Sequence, residues 1–189
     1  GARRVPAMPH PTEPRAENCT HQYDDGALQP GDPTAVIPWP DAEARLSAAR
    51  LFWLATIDPD GSPHVRPVFA TWVDGMLCTT SNPSARKGRN LAADGRCSAS
   101  TSTDEVDFVV EGTAAPVTDP DLVERIFDAY RAKYGWPAAV VEGGYDAPFG
   151  APTAGAPPYR PYALTPRTVY GIGTSDELAP RSTRWRFDG

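Results

Sequence analysis

Residues 79–90, TTSNPSARKGRN, bring two threonines, two serines, two asparagines and three cations into a dozen positions. Hydroxyls followed by Arg86 and Lys87, at the opening of a stretch with helical spacing, are the parts of an anion site. A helix start presents backbone N–H groups that have no acceptor within the helix, and neighbouring hydroxyls and cations complete a cradle. Here that helix begins near Ser84. The two cations stand at the end of the helix dipole where acidic residues are favoured, which an external anion would explain. A plain solvated basic turn is the alternative. Neither GxxxxGK(S/T) nor GxGxxG occurs, so a P-loop or a Rossmann dinucleotide site is not supported.

A further cation, from another element, extends this candidate site. SPHVRPVFATWV, residues 62–73, reads as one long strand, whose period of two sets His64, Arg66, Val68, Ala70 and Trp72 on one face. Arg66 is the only formal charge inside that strand. It either pairs with a carboxylate, for which Glu111 in the strand at 107–117 is available, or meets a phosphate.

The elements that must position these groups run in order. Asp41 caps a short helix, LFWLATI (51–57) is a buried strand, and DPDG turns into strand 62–73. Asp74-Gly75 closes a hairpin onto MLCTTS (76–81), which makes a three-stranded meander. The helix at 84–93 stops at Asp94-Gly95, and RCSASTST and DFVVEGTAAPV supply two more strands. Thr118, Asp119 and Pro120 open the clearest helix, with Leu122, Val123, Ile126, Phe127, Tyr130 and Tyr134 on one face. RTVYGIG and TRWRF close the chain as short strands. The sum is an α+β, mainly β protein built on a small antiparallel barrel with flanking helices.

Two segments stand apart. Residues 1–40 are rich in proline and polar residues without a sustained apolar period and are expected to form an irregular N-terminal arm, leaving 41–189 as the domain. His10, Cys19 and His21 lie in that arm, but their spacing fits no zinc pattern, and no metal is expected. Residues 137–161 form a Gly/Pro-rich loop in which Tyr145, Phe149 and Tyr159 favour a packed flap. Trp136 and the helix tyrosines are expected in the core rather than the site, and Trp39 and Trp53 are treated the same way.

At 189 residues the chain suits one domain, and a formal charge of −6 argues against general nucleic-acid or membrane-surface binding. Three cysteines without a CxxC, no apolar run of membrane-spanning length and no apolar leader after Arg3-Arg4 set the expectation of a soluble, cytoplasmic protein.

The order LATIDPDGSPHVRPV, CTTSNPSARKGRNLAADGRCSAST, FVVEGTA, a helix and a terminal TRWRF resembles the pyridoxamine 5′-phosphate oxidase-like split barrels, the flavin/deazaflavin oxidoreductase superfamily. The resemblance implies a homodimer of six-stranded antiparallel split barrels that bind FMN between subunits. It places Arg66, Thr80, Ser81, Arg86 and Lys87 around the cofactor phosphate, and Trp185 and Arg186 beside the isoalloxazine ring. His64, Tyr145 and Tyr159 are candidate proton donors near that ring, although His64 also suits a partly buried strand position. The family's true oxidases carry a lysine where this chain has Thr71 and end in a longer Arg-rich signature that it lacks, which argues against vitamin B6 oxidation.

The leading expectation is an FMN-dependent oxidoreductase acting on a small organic substrate, with NAD(P)H as a candidate redox partner and catalytic residues unassigned. F420 is the alternative cofactor, favoured by the additional Arg89. A non-catalytic flavin- or haem-binding protein is the third reading.

Overall fold

The computed structural model of the chain describes residues 13–148 and 155–188. In chain order the strands and helices are β1 Arg15–Asn18, β2 His21–Asp24, β3 Ala27–Pro30, α1 Trp39–Ala48, β4 Phe52–Ile57, β5 Pro63–Val68, β6 Ala70–Val73, β7 Met76–Ser81, α2 Arg86–Ala93, β8 Arg96–Ser102, β9 Val106–Pro116, α3 Pro120–Tyr134, β10 Ala139–Val141, β11 Gly144–Asp146, β12 Arg160–Gly173 and β13 Thr183–Arg186. Candidate residues His10 and Phe149 lie outside the described residues.

The stretch 62–73 is not one strand. It breaks at Phe69, so that β5 pairs with β4 as far as Phe52–Val68, and β6 pairs with β7 from Ala70–Thr79 onward. The expected meander is thereby replaced by a corner that joins two parts of one sheet. From β7 the pairing continues through β12, β9 and β8 back to β4, every pair antiparallel. Counting β5 and β6 as one bent strand, this is a six-stranded split barrel. The split lies on β12: residues 160–164 pair with β7, residues 168–171 pair with β13, and a bulge between Pro166 and Thr168 separates the two halves. A bulge adds a residue to one strand and bends it, which is what a change of neighbour requires.

Strand alternation sorts side chains between two cores. On β7, Leu77 joins the barrel interior with Phe52, Leu54, Phe108, Val110 and Trp185, whereas Cys78 joins the layer under α3 with Ile126, Phe127 and Tyr145. The hairpin between β6 and β7 turns on Asp74 and Gly75, at φ 52° and 76°, backbone that suits Gly and Asp in a tight hairpin turn. α3 follows its sequence signals: the Asp119 carboxylate accepts from the Asp121 N–H at 3.1 Å, Pro120 opens the first turn, and Gly135 ends the helix at φ 64°. Asp41 lies inside the first turn of α1 rather than capping it, because Pro38 precedes the helix and Trp39 already opens it.

The described part of residues 1–40 departs from the expected irregular arm. β1 adds to the sheet beside β13, β2 and β3 form a hairpin, and Ile37 packs into the barrel core. The gain comes from backbone pairing: β13 would otherwise be an open edge, and β1 satisfies it despite a burial pattern with little apolar content.

Candidate functional site

Three elements converge where the barrel opens. β5 carries His64 and Arg66 on the face of its core residue Val68, since Arg66 stands opposite buried Leu54 in the β4 register. Past the end of the core that face no longer meets packed side chains, and Arg66 is exposed. β7 contributes Thr80, on the same face as Cys78. Ser81, one residue on, has the opposite parity: it is buried and its hydroxyl donates to the Asn82 carbonyl at 3.0 Å, so it does not line the opening. α2 brings Arg86 and Lys87.

α2 is held in place by its buried face. Asn90 donates to Asp58 Oδ1 at 2.8 Å and to Thr56 Oγ1 at 3.1 Å, tying the helix to β4 and its turn. Gly88 lets the helix rest on the preceding chain, since a Cβ there would stand 2.7 Å from the Asn82 carbonyl oxygen. The Asn82 side chain accepts from the Ser84 N–H at 2.8 Å and donates to the Ala156 carbonyl at 2.7 Å, fixing the turn before the helix. Ala85 occupies the N-cap position and offers no side-chain acceptor. Among the described residues the first-turn N–H groups of Arg86, Lys87 and Gly88 have no acceptor.

Together these groups line a cleft of about 920 Å³. Its cationic end holds His64, Arg66, Arg86 and Lys87. Arg86 lies 3.7 Å from the Asp58 carboxylate. Arg66 donates to its neighbour's carbonyl, Val65 O, at 2.8 Å, and among the described residues neither it nor Lys87 has a carboxylate within ion-pair distance. The Glu111 pairing open to Arg66 in the sequence is not made; Glu111 lines a separate hollow with Arg96 and Arg167. Burial and the neighbouring Arg66 guanidinium lower the Lys87 pKa from the usual lysine range. His64 is lowered too, by burial first and then by Arg66, against an opposing pull from Asp58. In both the larger cause is burial, and the Arg66 charge beside them adds to it.

The rest of the cleft is aromatic. Phe69, Tyr130, Tyr134, Trp136 and Tyr159 line it. Of these, the sequence points only to Tyr159 as a site residue. The sequence expectation for Tyr130, Tyr134 and Trp136 is the core, and for Phe69 the interior of a strand. They do pack together, but at the C-terminal end of α3 one side of the cluster is open. The signal for them is the run Tyr130-x3-Tyr134-Gly135-Trp136, in which a helix-ending glycine swings a tryptophan back beside the last helical turn.

Three expectations are corrected. Trp185 is fully buried, 5.6 Å from the Trp39 ring and 6.5 Å from that of Phe108, so it is enclosed in the barrel core and does not line the cleft. β13 lies between β1 and β12, which gives its inward residues a core to enter. Arg186, with outward parity, sits 3.4 Å from Glu17 and does not line the cleft. Tyr145, a candidate proton donor, is buried under α3 and donates to Val123 O at 2.8 Å.

Comparison with known proteins adds the following. The family model for pyridoxamine 5′-phosphate oxidase matches residues 39–173. No curated protein matches the sequence. Among solved structures, a conserved hypothetical protein from Mycobacterium tuberculosis superposes with a TM-score of 0.59 at 18% identity, covering 79% of this chain and 92% of the other. A FAD-binding protein from Mesorhizobium loti gives 0.52 at 17% identity over 80% and 96%. PhzG from Burkholderia lata, solved with tetrahydrophenazine-1-carboxylic acid, gives 0.52 at 18% identity over 80% and 84%. At such identities these likenesses concern the fold.

Proposed function

Because the chain belongs to the pyridoxamine 5′-phosphate oxidase family, we propose that it is an FMN-dependent oxidoreductase that holds the cofactor by its phosphate and works as a homodimer. The observation that carries this is the pair Arg66 and Lys87, two cations facing one space with no carboxylate between them among the described residues. A phosphomonoester dianion removes their mutual repulsion and accepts their hydrogen bonds.

Bound flavin would supply the hydride chemistry. Arg66 and Lys87 would hold the phosphate from β5 and α2, Arg86 would add charge at the outer side, and the Thr80 hydroxyl and the first-turn N–H groups of α2 would donate. Ser81, Trp185 and Tyr145 have no place in this arrangement. Arg89 donates to Ser84 O and stays outside the cleft, so the broader basic groove that would favour F420 is not supported. Thr71, standing where the resemblance implies a lysine, is buried, which argues against pyridoxamine phosphate as the substrate.

The absorbance spectrum of freshly purified protein tests the cofactor. A flavin band is expected. A deazaflavin band would transfer the site to F420, and a Soret band to haem.

The outer face of β4 and β5, with Trp53 50% and Val65 42% exposed, and Ile172 on β12, 44% exposed, supports the homodimer. Sedimentation at micromolar concentration should give a dimer, burying more than roughly 2,000 Å² if the interface is obligate. A stable monomer that still binds FMN would count against this assembly.

A further inference from the structure

Resting on the flavin assignment above, we infer that His64 is a further partner of the cofactor phosphate: a neutral imidazole while the cleft is empty, and an imidazolium that donates to the phosphate once it is filled. In the β4 register His64 stands opposite Thr56 and Arg66 opposite Leu54, both buried, so the two side chains share the inward face of β5. Both line the cationic end of the cleft with Arg86 and Lys87. Asn90 donates to the same Thr56 at 3.1 Å, which holds α2 against the strand pair on which His64 lies.

The imidazole has no hydrogen-bond partner among the described residues. The charged groups acting on it are Arg66 on its own strand, Arg86 and Lys87 on α2, and Asp58 in the turn after β4. Asp58 is the one group that would hold a proton on His64, and it is engaged elsewhere. Its Oδ1 accepts from Asn90 at 2.8 Å and lies 3.7 Å from Arg86. With burial, and with three cations against one shared carboxylate, the His64 pKa stays below the usual histidine range.

A fourth permanent cation would add repulsion to the empty cleft, and a permanently neutral side chain would add no charge to the filled one. Histidine avoids both. A phosphate dianion reverses the local field and draws a proton onto the imidazole, which then donates a charge-assisted hydrogen bond. Binding therefore raises the His64 pKa from its lowered free value. FMN binding takes up part of a proton between the free and bound values, and affinity declines as pH rises from the first to the second.

The test is calorimetric titration of the full chain with FMN in buffers of different ionisation enthalpy, which counts the protons exchanged. At about pH 7, where the FMN phosphate is mostly dianionic, the protein should take up on the order of half a proton per FMN. His64→Gln, which keeps hydrogen-bonding capacity without the charge, should lose most of that uptake. It should bind FMN about fivefold more weakly than wild type at about pH 6.5 and equally well above about pH 8.5. Riboflavin, which lacks the phosphate, should bind without His64-dependent uptake. NMR titration of the imidazole, identified by its absence from His64→Gln, should move upward on FMN loading. Equal uptake by wild type and His64→Gln, or an imidazole titration unmoved by FMN, overturns the proposal. So does the same His64-dependent uptake with riboflavin, because the imidazole would then face the ring. If the protein takes up no FMN, inorganic sulfate, a dianion that does not titrate in this range, is the probe. An imidazole titration raised by sulfate, and not by chloride at equal ionic strength, would uphold the proton-linked anion site and fail the flavin assignment alone. A titration that sulfate leaves in place would overturn both.

Discussion

Trp185→Ala should lower the unfolding free energy by about 3–5 kcal/mol, the cost of removing a large enclosed aromatic side chain and leaving a cavity. Nothing at this position is open to solvent. The indole is enclosed by Trp39 and Phe108, and a Cβ at Gly171 would stand 2.8 Å from its ring, so the pocket is fitted to it on several sides. Its Nε1 is buried without an acceptor among the described residues, so Trp185→Phe should cost less than the alanine change. Urea unfolding monitored by far-ultraviolet circular dichroism reads both. An alanine variant of unchanged stability but reduced flavin affinity would return Trp185 to the position beside the ring that the family resemblance implies.

Arg66→Ala and Lys87→Ala should each weaken FMN binding by roughly 1.5–3 kcal/mol, the worth of a hydrogen bond to a charged group. Riboflavin lacks the phosphate, so both losses should shrink for it. Equal losses for the two ligands would make these residues structural and move the phosphate site elsewhere. Lys87 adds a pH signature. A phosphate partner raises its pKa on binding, so affinity is full below the free-state pKa and falls as pH rises through it. Because burial and Arg66 already hold that free-state value below the usual lysine range, the fall should begin at lower pH than an exposed lysine would give. Lys87→Arg, whose charge persists, should flatten it. Fluorescence titration of FMN across the alkaline range checks both the sign and the rescue.

Much of the fold could be read in advance because its signals are local. The Asp119-Pro120 opening and Gly135 ending of α3 are backbone requirements written in single residues, as is the Asp74-Gly75 hairpin. The charge cluster was readable for a similar reason: three cations at the front of a helix with no acidic residue in its first turn conflict with the helix dipole, and that conflict is visible without coordinates. The break at Phe69 was not readable. A bent strand and a straight one share the same alternation, and only the two separate registers, with β4 and with β7, distinguish them.

For residues 41–136 the sequence by itself determined most of the elements and their order, the alternation of side chains along each strand and the gathering of positive charge at 86–89, but not the strands β1 to β3, the hairpin of β10 and β11 or the break between β5 and β6. It could not determine which parity faces inward, because that depends on what packs across the strand. Ser81 and Trp185 turn into the protein, while Thr80 and Arg66 reach the cleft, and those outcomes rest on α3, β1 and the split in β12, all remote in the chain. The aromatic wall is tertiary for the same reason. Tyr130, Tyr134 and Trp136 have core-forming types at helical spacing, and only the position of the end of α3 beside β5 and the chain around Tyr159 leaves one side of that cluster open to a ligand.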